Sequence, residues 1–192
     1  MTVADWLRER GAHHDVVEWA TPFENDLARL WAECPRGDWL LGIAARAEVD
    51  SRALVRAARA CVELARDQAP DDDPRIAAAL SATDRWLSGS DDPEARARAK
   101  ADVEKAADEA PDPATQAAAL AALATIGAVD APDEAAAAVS FVVQAAVLDV
   151  GECAVMSALR YTQATCAERV REHVPFEAIR DLVGSLTQTV PS

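Results

Sequence analysis

The sequence predicts an all-α protein: a single-domain array of antiparallel helical hairpins, packed in a HEAT- or solenoid-like stack or as a compact bundle. Three observations carry this. Asp73-Pro74, Asp92-Pro93, Asp112-Pro113 and Ala131-Pro132-Asp133 recur at spacings of 19, 20 and 19 residues. Each reads as a helix start: Asp accepts hydrogen bonds from the free N–H groups of the first turn, and Pro has no N–H to leave unsatisfied. The intervals are Ala-rich and contain no other Pro except Pro111, so each fits one helix and a turn. Two intervals make a hairpin of about 39 residues, close to the ~40–47-residue period of HEAT-type repeats. The length of 192 residues suits one domain with its own core, here about nine or ten helices.

Taken in order, residues 3–20 predict one or two short helices divided at Gly11, with Val3, Trp6 and Leu7 inward, then Val16, Val17 and Trp19. Thr21-Pro22 is a further start signal for 22–33, where Phe23, Leu27, Leu30 and Trp31 recur at helical spacing. Pro35 and Gly37 break that helix. Asp38 is the N-cap expected for the next, to about Glu48, with Trp39, Leu40, Leu41 and Ile43 as core. Asp50-Ser51 opens a helix to Arg66 with Leu54, Ala58, Cys61 and Ala65 inward. Its other face, Arg52, Arg56, Arg59, Glu63 and Arg66, is a solvated stripe with an Arg59–Glu63 pair worth ~0.3–0.5 kcal/mol, or a partner for an acidic neighbouring helix.

The helix after Asp73 turns Ile76, Leu80, Thr83 and Trp86 inward and ends at Gly89. Residues 95–104, ARARAKADVE, alternate with period two, yet Ala, Arg, Lys and Glu favour helix over strand. With Val103 its one large apolar residue, this helix is the exposed one. Helices at 113–126 and 132–149 follow. The next, at 152–173, carries Val155, Met156, Leu159, Cys166 and Val170 inward, with Gln163 on the same face. Pro175 opens a short amphipathic helix with Phe176, Ile179, Leu182 and Val183, and 185–192 reads as a loose tail. The domain thus divides into an N-terminal extension (1–27), a central region (28–150), C-terminal helices (151–184) and the tail.

Net charge is −14, from 33 acidic and 19 basic residues. That field repels phosphate backbones, which excludes nucleic acid as a direct partner, although the acid also simply keeps an Ala-rich chain in solution. Seventeen of the basic residues are Arg and two are Lys; the bias suggests GC-rich coding and accounts for part of the Ala excess. The N-terminus has no apolar signal core, and the most apolar run, 135–159, is interrupted by Ser140, Gln144, Asp149 and Glu152. No membrane partner is expected. Cys34, Cys61, Cys153 and Cys166 are at least 13 residues apart, without ligand spacing or a disulfide framework, so free thiols in the cytoplasm are expected.

No catalytic, metal or cofactor constellation is legible. His13-His14-Asp15 point different ways on a helix and read as surface residues. No Gly-rich phosphate loop or nucleophile elbow occurs. Cys166 and His173 are seven residues apart on one helix, roughly 10 Å along its axis and too far for activation. The carboxylate pairs at 71–73, 91–92 and 108–109 sit at helix junctions, where capping explains them. The expectation is a non-enzyme without cofactor or metal.

CPRGDWLLGIAARAEVD, LVRAARACVELA and DDDPRIAAALSATDRWLSG together resemble the bacterial immunity proteins related to Imm5. The resemblance rests on Cys34, Asp38, Trp39, Cys61, Asp73, Pro74, Arg75, Trp86 and Gly89 and covers residues 28–150. QATCAERVREHVP is only loosely similar to the family's ending, and the first 27 residues lie outside the pattern. It implies neutralisation of a cognate toxin by binding, and no catalytic residue. The alternative is a helical scaffold or interaction protein, as a monomer or a homodimer, with no toxin partner. The stretch 106–159 has eight Asp or Glu and no Lys or Arg, so a basic toxin or effector is the expected partner. The candidate contact residues are Asp38, Trp39, Arg75, Trp86, Asp91, Asp92, Asp130, Asp133 and Glu134. Trp86 beside the Asp91-Asp92 turn and Trp39 beside Asp38 are the candidate aromatic anchors, although core is the stronger reading of each.

Overall fold

The fold follows from how its helices begin. In the computed structural model, which describes residues 1–66 and 73–187, three of the four proline start signals work as expected. Asp73 accepts from Arg75 N–H, Asp92 from Ala95 N–H, and Asp112 from Ala114 and Thr115 N–H, with Pro at the first helical position each time. The fourth differs. Pro132 lies in a turn, and Asp133 precedes the next helix in αR conformation without a side-chain cap. A side chain caps from extended backbone, and αR points Asp133 elsewhere.

Eleven α-helices, against the nine or ten expected, and no strand occur among the described residues. They are α1 (Val3–Glu9), α2 (His14–Ala20), α3 (Leu27–Glu33), α4 (Gly37–Arg46), α5 (Ser51–Arg66), α6 (Pro74–Leu87), α7 (Pro93–Asp108), α8 (Pro113–Gly127), α9 (Glu134–Leu148), α10 (Val155–His173) and α11 (Phe176–Thr187). The period-two stretch is helical, within α7. Thr21-Pro22 opens only a 3-10 turn, Thr21–Phe23; Glu24 then takes φ 49°, and α3 starts afresh on Asp26, which accepts from Arg29 N–H. Met156, expected on the inner face, is exposed, as is Cys153. Cys153 lies in a second 3-10 turn, Glu152–Ala154, ahead of α10, and Met156 stands in the first turn of α10, where no helix covers it. α11 continues past Gly184 to Thr187, into the expected tail. Asp71, the Leu182 and Arg66 side chains, and 188–192 lie outside the described residues.

Helices α6 to α9 pack as successive antiparallel hairpins, each on the next. Arg75 at the start of α6 reaches Glu109 just past the end of α7, and Arg96 near the start of α7 reaches Asp130 beyond α8. The array then closes on itself: α9 also packs on α4, α5 and α10, which makes a bundle around α8 and α9 and not an open stack. Accordingly α8, apolar on all sides, buries Ala117, Ala119, Ala121, Ala122 and Ile126. α7, packed chiefly on α6 and α8, buries only Ala99, Val103, Ala106 and Ala107. At the end of α6, Gly89 (φ 84°) donates to Trp86 C=O and Ser90 to Arg85 C=O, a Schellman stop that requires the left-handed conformation.

Three caps predict the response to acid. The Asp5 carboxyl is held below its ordinary value of 3.8 by hydrogen bonds with Thr2, Asp73 by the Arg75 guanidinium, and Asp112 by the Thr115 hydroxyl. A depressed folded-state pKa contributes stability that is complete above the unfolded value and is lost as pH falls through the lower folded one. Melting temperature is therefore expected to fall below about pH 4. A triple Asp→Asn variant at these sites should start lower at neutral pH and lose less on acidification. Parallel melts with equal acid slopes would contradict this.

Candidate functional site

The N-terminus of α4 builds a cleft that brings together two of the sequence candidates, Asp38 and Trp39. Arg36 is the extended N-cap residue, so its side chain turns back over the first helical turn. Its guanidinium binds Asp38 through Nε (3.1 Å) and Nη2 (2.5 Å) and stacks 4.4 Å above the Trp39 ring. Trp39 in turn packs at 5.5 Å on Trp19, and Trp19 at 4.8 Å on Phe23. Asp38 is thus a first-turn residue and not the expected N-cap; its side chain is only 11% exposed. From α9, the Ser140 hydroxyl donates to Asp38 Oδ2 at 3.4 Å. Around this cluster a cleft of about 300 Å³ opens among α1, α2, α4 and α9, with His13, Asp15, Ile43 and Arg46 on its walls. Arg46 is committed to the carbonyls of Arg10, Gly11 and Gly42, tying α4 to the end of α1.

A second groove, about 490 Å³, leaves the Arg36–Asp38 pair between α9 and α10 and is lined by Val143, Gln144, Val147, Leu159 and Gln163. Gln163 is half-buried there instead of enclosed in the core. Trp39, partly exposed at the cleft, is neither fully core nor free.

The other sequence candidates do not converge on this cleft. Arg75 holds Asp73 and Glu109 (2.5 Å) at the opposite end of the α6–α7 hairpin. Trp86 is half-buried beneath the Arg52 guanidinium, 5.3 Å from its ring. Asp91 and Asp130 share Arg96, at 3.2 and 2.8 Å, while Asp92 caps α7. The acidic stretch is therefore not uncompensated: Arg75 neutralises Glu109 and Arg96 neutralises Asp130. The arginines come from helices outside the stretch, which linear charge counting cannot see. Asp133 does adjoin the cleft, lining with Arg46 a hollow at its far end. Glu134 opens α9 with its carboxylate over Gly127.

Sequence reading missed Arg36, Arg46 and Ser140. Arg36 lies two residues from Asp38, a spacing at which residues on a helix do not face each other; only the extended cap brings them together. Arg171 was also missed. It donates to the Trp31 and Cys34 carbonyls (3.0 and 2.5 Å), closing the end of α3 from α10.

Nucleophilic chemistry finds little support in these groups. Burial pushes the Cys34 thiol up to about 11, and a hydrogen bond with Cys166 together with burial raises Cys61 well above its usual range. His13 and His14 are exposed beside Asp15 and Glu18, and the Ser140 hydroxyl meets Asp38 and the Ala136 carbonyl instead of a histidine. Among the described residues no three His, Cys, Asp or Glu gather as a metal site, and no helix is long and apolar enough to cross a membrane. All four cysteines are free thiols, and only Cys153 is exposed. A chromogenic thiol reagent should therefore titrate one thiol rapidly in the native protein and the other three only on unfolding; rapid native reaction of all four would contradict the packing of α4, α5 and α10.

Of the residues that carry the family resemblance, Gly89 and Asp73-Pro74 have the local structural roles described above, Asp38 and Trp39 meet at the cleft, and Cys34 is buried with its thiol on the Arg36 carbonyl. Compared with known proteins, the chain matches no family model, no curated protein and no solved structure.

Proposed function

We propose that the protein is a non-catalytic binding module of the immunity type, which neutralises a basic toxin or effector by engaging it at the α4 cleft. The observation that carries this is the arrangement of Trp39: a partly exposed aromatic ring held between Arg36 and Trp19, beside a carboxylate and a cavity. A half-exposed indole fixed in place gives an interface a large contact area at little entropic cost, the usual character of a binding anchor. Asp38 holds the Arg36 guanidinium over the ring, and the charge of −14 steers a basic protein toward the surface. Free thiols suit action in the cytoplasm.

Affinity capture from the native organism tests this. The wild-type chain should retain a basic protein, Trp39→Ala should lose it, and Trp86→Ala, on a different edge, should retain it. Capture indifferent to Trp39, or turnover of a small substrate that depends on cleft residues, would defeat the reading.

A further inference from the structure

Gly42 stands in the middle of α4 without the usual structural reasons for a glycine. Its backbone is helical, the left-handed glycines being Gly11 and Gly89. A Cβ there would meet nothing closer than the tip of the flexible Arg46 side chain, at 3.4 Å. Gly37 is the opposite case, because a Cβ at that position would strike the backbone of Cys166. Glycine in a helix interior is the least favourable residue after proline, so the helix gains nothing from it. What Gly42 leaves open is the floor of the cleft. It lies there half-buried with Ala136 and Ala137 of α9, and Val16 and Ile43 complete the apolar wall.

The space suits a single ring. A cleft of about 300 Å³ is at the small end of ligand sites, room for one large side chain and not for a helix. Its charges are already engaged. Arg36 and Asp38 satisfy each other, and every nitrogen of the Arg46 guanidinium donates to a main-chain carbonyl. Asp15 stays largely in water at the rim, 63% exposed. A charged guest would therefore give up its hydration without gaining a free counter-charge inside. A neutral ring loses no such hydration and gains an aromatic wall in Trp39, whose tilt against Trp19, 52° at 5.5 Å, is a geometry that aromatic pairs favour. We propose that the pit over Gly42 is a subsite for one neutral aromatic group, and that Gly42 sets its depth. The source of that group rests on the reading of the cleft as a partner-binding surface: it is a Trp, Tyr or Phe side chain of the partner, seated beside Trp39.

Indole tests the subsite without the partner. Titrated into the isotopically labelled full chain, it should shift the amide resonances of Gly42, Ala137 and Ser140 saturably, with a dissociation constant on the order of a millimolar for so small a ligand. Gly42→Ala, which keeps the fold at least as stable, should weaken indole severalfold, and Gly42→Leu should abolish its binding. Ala137→Leu fills the pit from α9 and should do the same. Benzoate, an anionic ring, and n-butylammonium, an aliphatic cation, should bind at least about tenfold more weakly than indole. The proposal is overturned by the absence of saturable shifts at Gly42, by indole binding undiminished in both leucine variants, or by tighter binding of either ion. The two readings separate cleanly. Indole bound over Gly42 together with a partner capture insensitive to Trp39→Ala would uphold the subsite and remove the partner, whereas a Trp39-dependent capture without indole binding would remove the subsite alone.

Discussion

Replacing Gly37 by alanine is expected to destabilise the protein by about 2 kcal/mol, the net of overpacking at ~1–3 kcal/mol and a smaller gain from restricting the unfolded chain. A Cβ at Gly37 would lie 2.8 Å from both the backbone carbonyl carbon and the Cβ of Cys166, and 3.0 Å from its oxygen. Two of those atoms are backbone, so no side-chain rotation relieves the clash; α4 must move off α10. That contact also positions Cys61, whose thiol donates to the Cys166 carbonyl at 3.6 Å, and the displacement reaches Arg36 and Asp38 at the mouth of the cleft. The melting temperature should drop by roughly 4–8 °C for a chain of this size. Gly42→Ala is the control. Its Cβ meets only the end of the Arg46 side chain, at 3.4 Å, and a mid-helix Gly→Ala change should be neutral or stabilising by up to ~1 kcal/mol. Equal urea midpoints for Gly37→Ala and the wild type would show that α4 and α10 do not approach this closely.

Trp39→Ala is expected to weaken partner binding at least thirtyfold, the equivalent of ~2 kcal/mol for a central aromatic anchor. The loss should fall mainly on the dissociation rate. Asp38→Asn separates charge from shape: it keeps the side chain's size but frees the Arg36 guanidinium, and should reduce affinity less than Trp39→Ala while also lowering the association rate. Steering is a distinct effect. Raising salt past the ~10 Å screening length reached near 0.1 M should slow association without restoring or removing the anchor. Asp133→Lys tests the acidic edge most cleanly. Asp133 neither caps α9 nor pairs with an arginine among the described residues, whereas reversing Asp130 would also break its bond to Arg96. An association rate insensitive to both salt and Asp133→Lys would remove electrostatics from the mechanism. An affinity insensitive to Trp39→Ala would remove the cleft.

The helix starts at Asp73, Asp92 and Asp112 were legible because a cap hydrogen bond spans only two or three residues, and Pro restricts the chain at the same point. The stop at Gly89 was legible for the same reason: a left-handed residue is a property of one position. Core faces such as Leu54–Ala58–Cys61–Ala65 followed from helical periodicity, which needs a helix but no knowledge of its neighbour. Thr21-Pro22 shows the limit even locally, since Asp26 offered a competing cap five residues on and took the helix.

What only the tertiary structure decided were relations between distant residues. Ser140 meets Asp38 across 102 positions, Arg171 closes α3 across 140, and Gly37 proves to be a contact point with Cys166 instead of merely a break. Arg75 and Arg96 neutralise carboxylates 34 positions away, so the charge that solvent meets differs from the charge counted along the chain. Met156 is exposed because no helix was left to cover that face of α10. By itself the sequence determined where helices begin, where they end and which side of most of them is apolar, because caps, turns and periodicity act within a few residues. Which apolar sides found a partner, and which charges were left facing water, depended on how the helices closed around α8 and α9, because burial and ion pairing act through space.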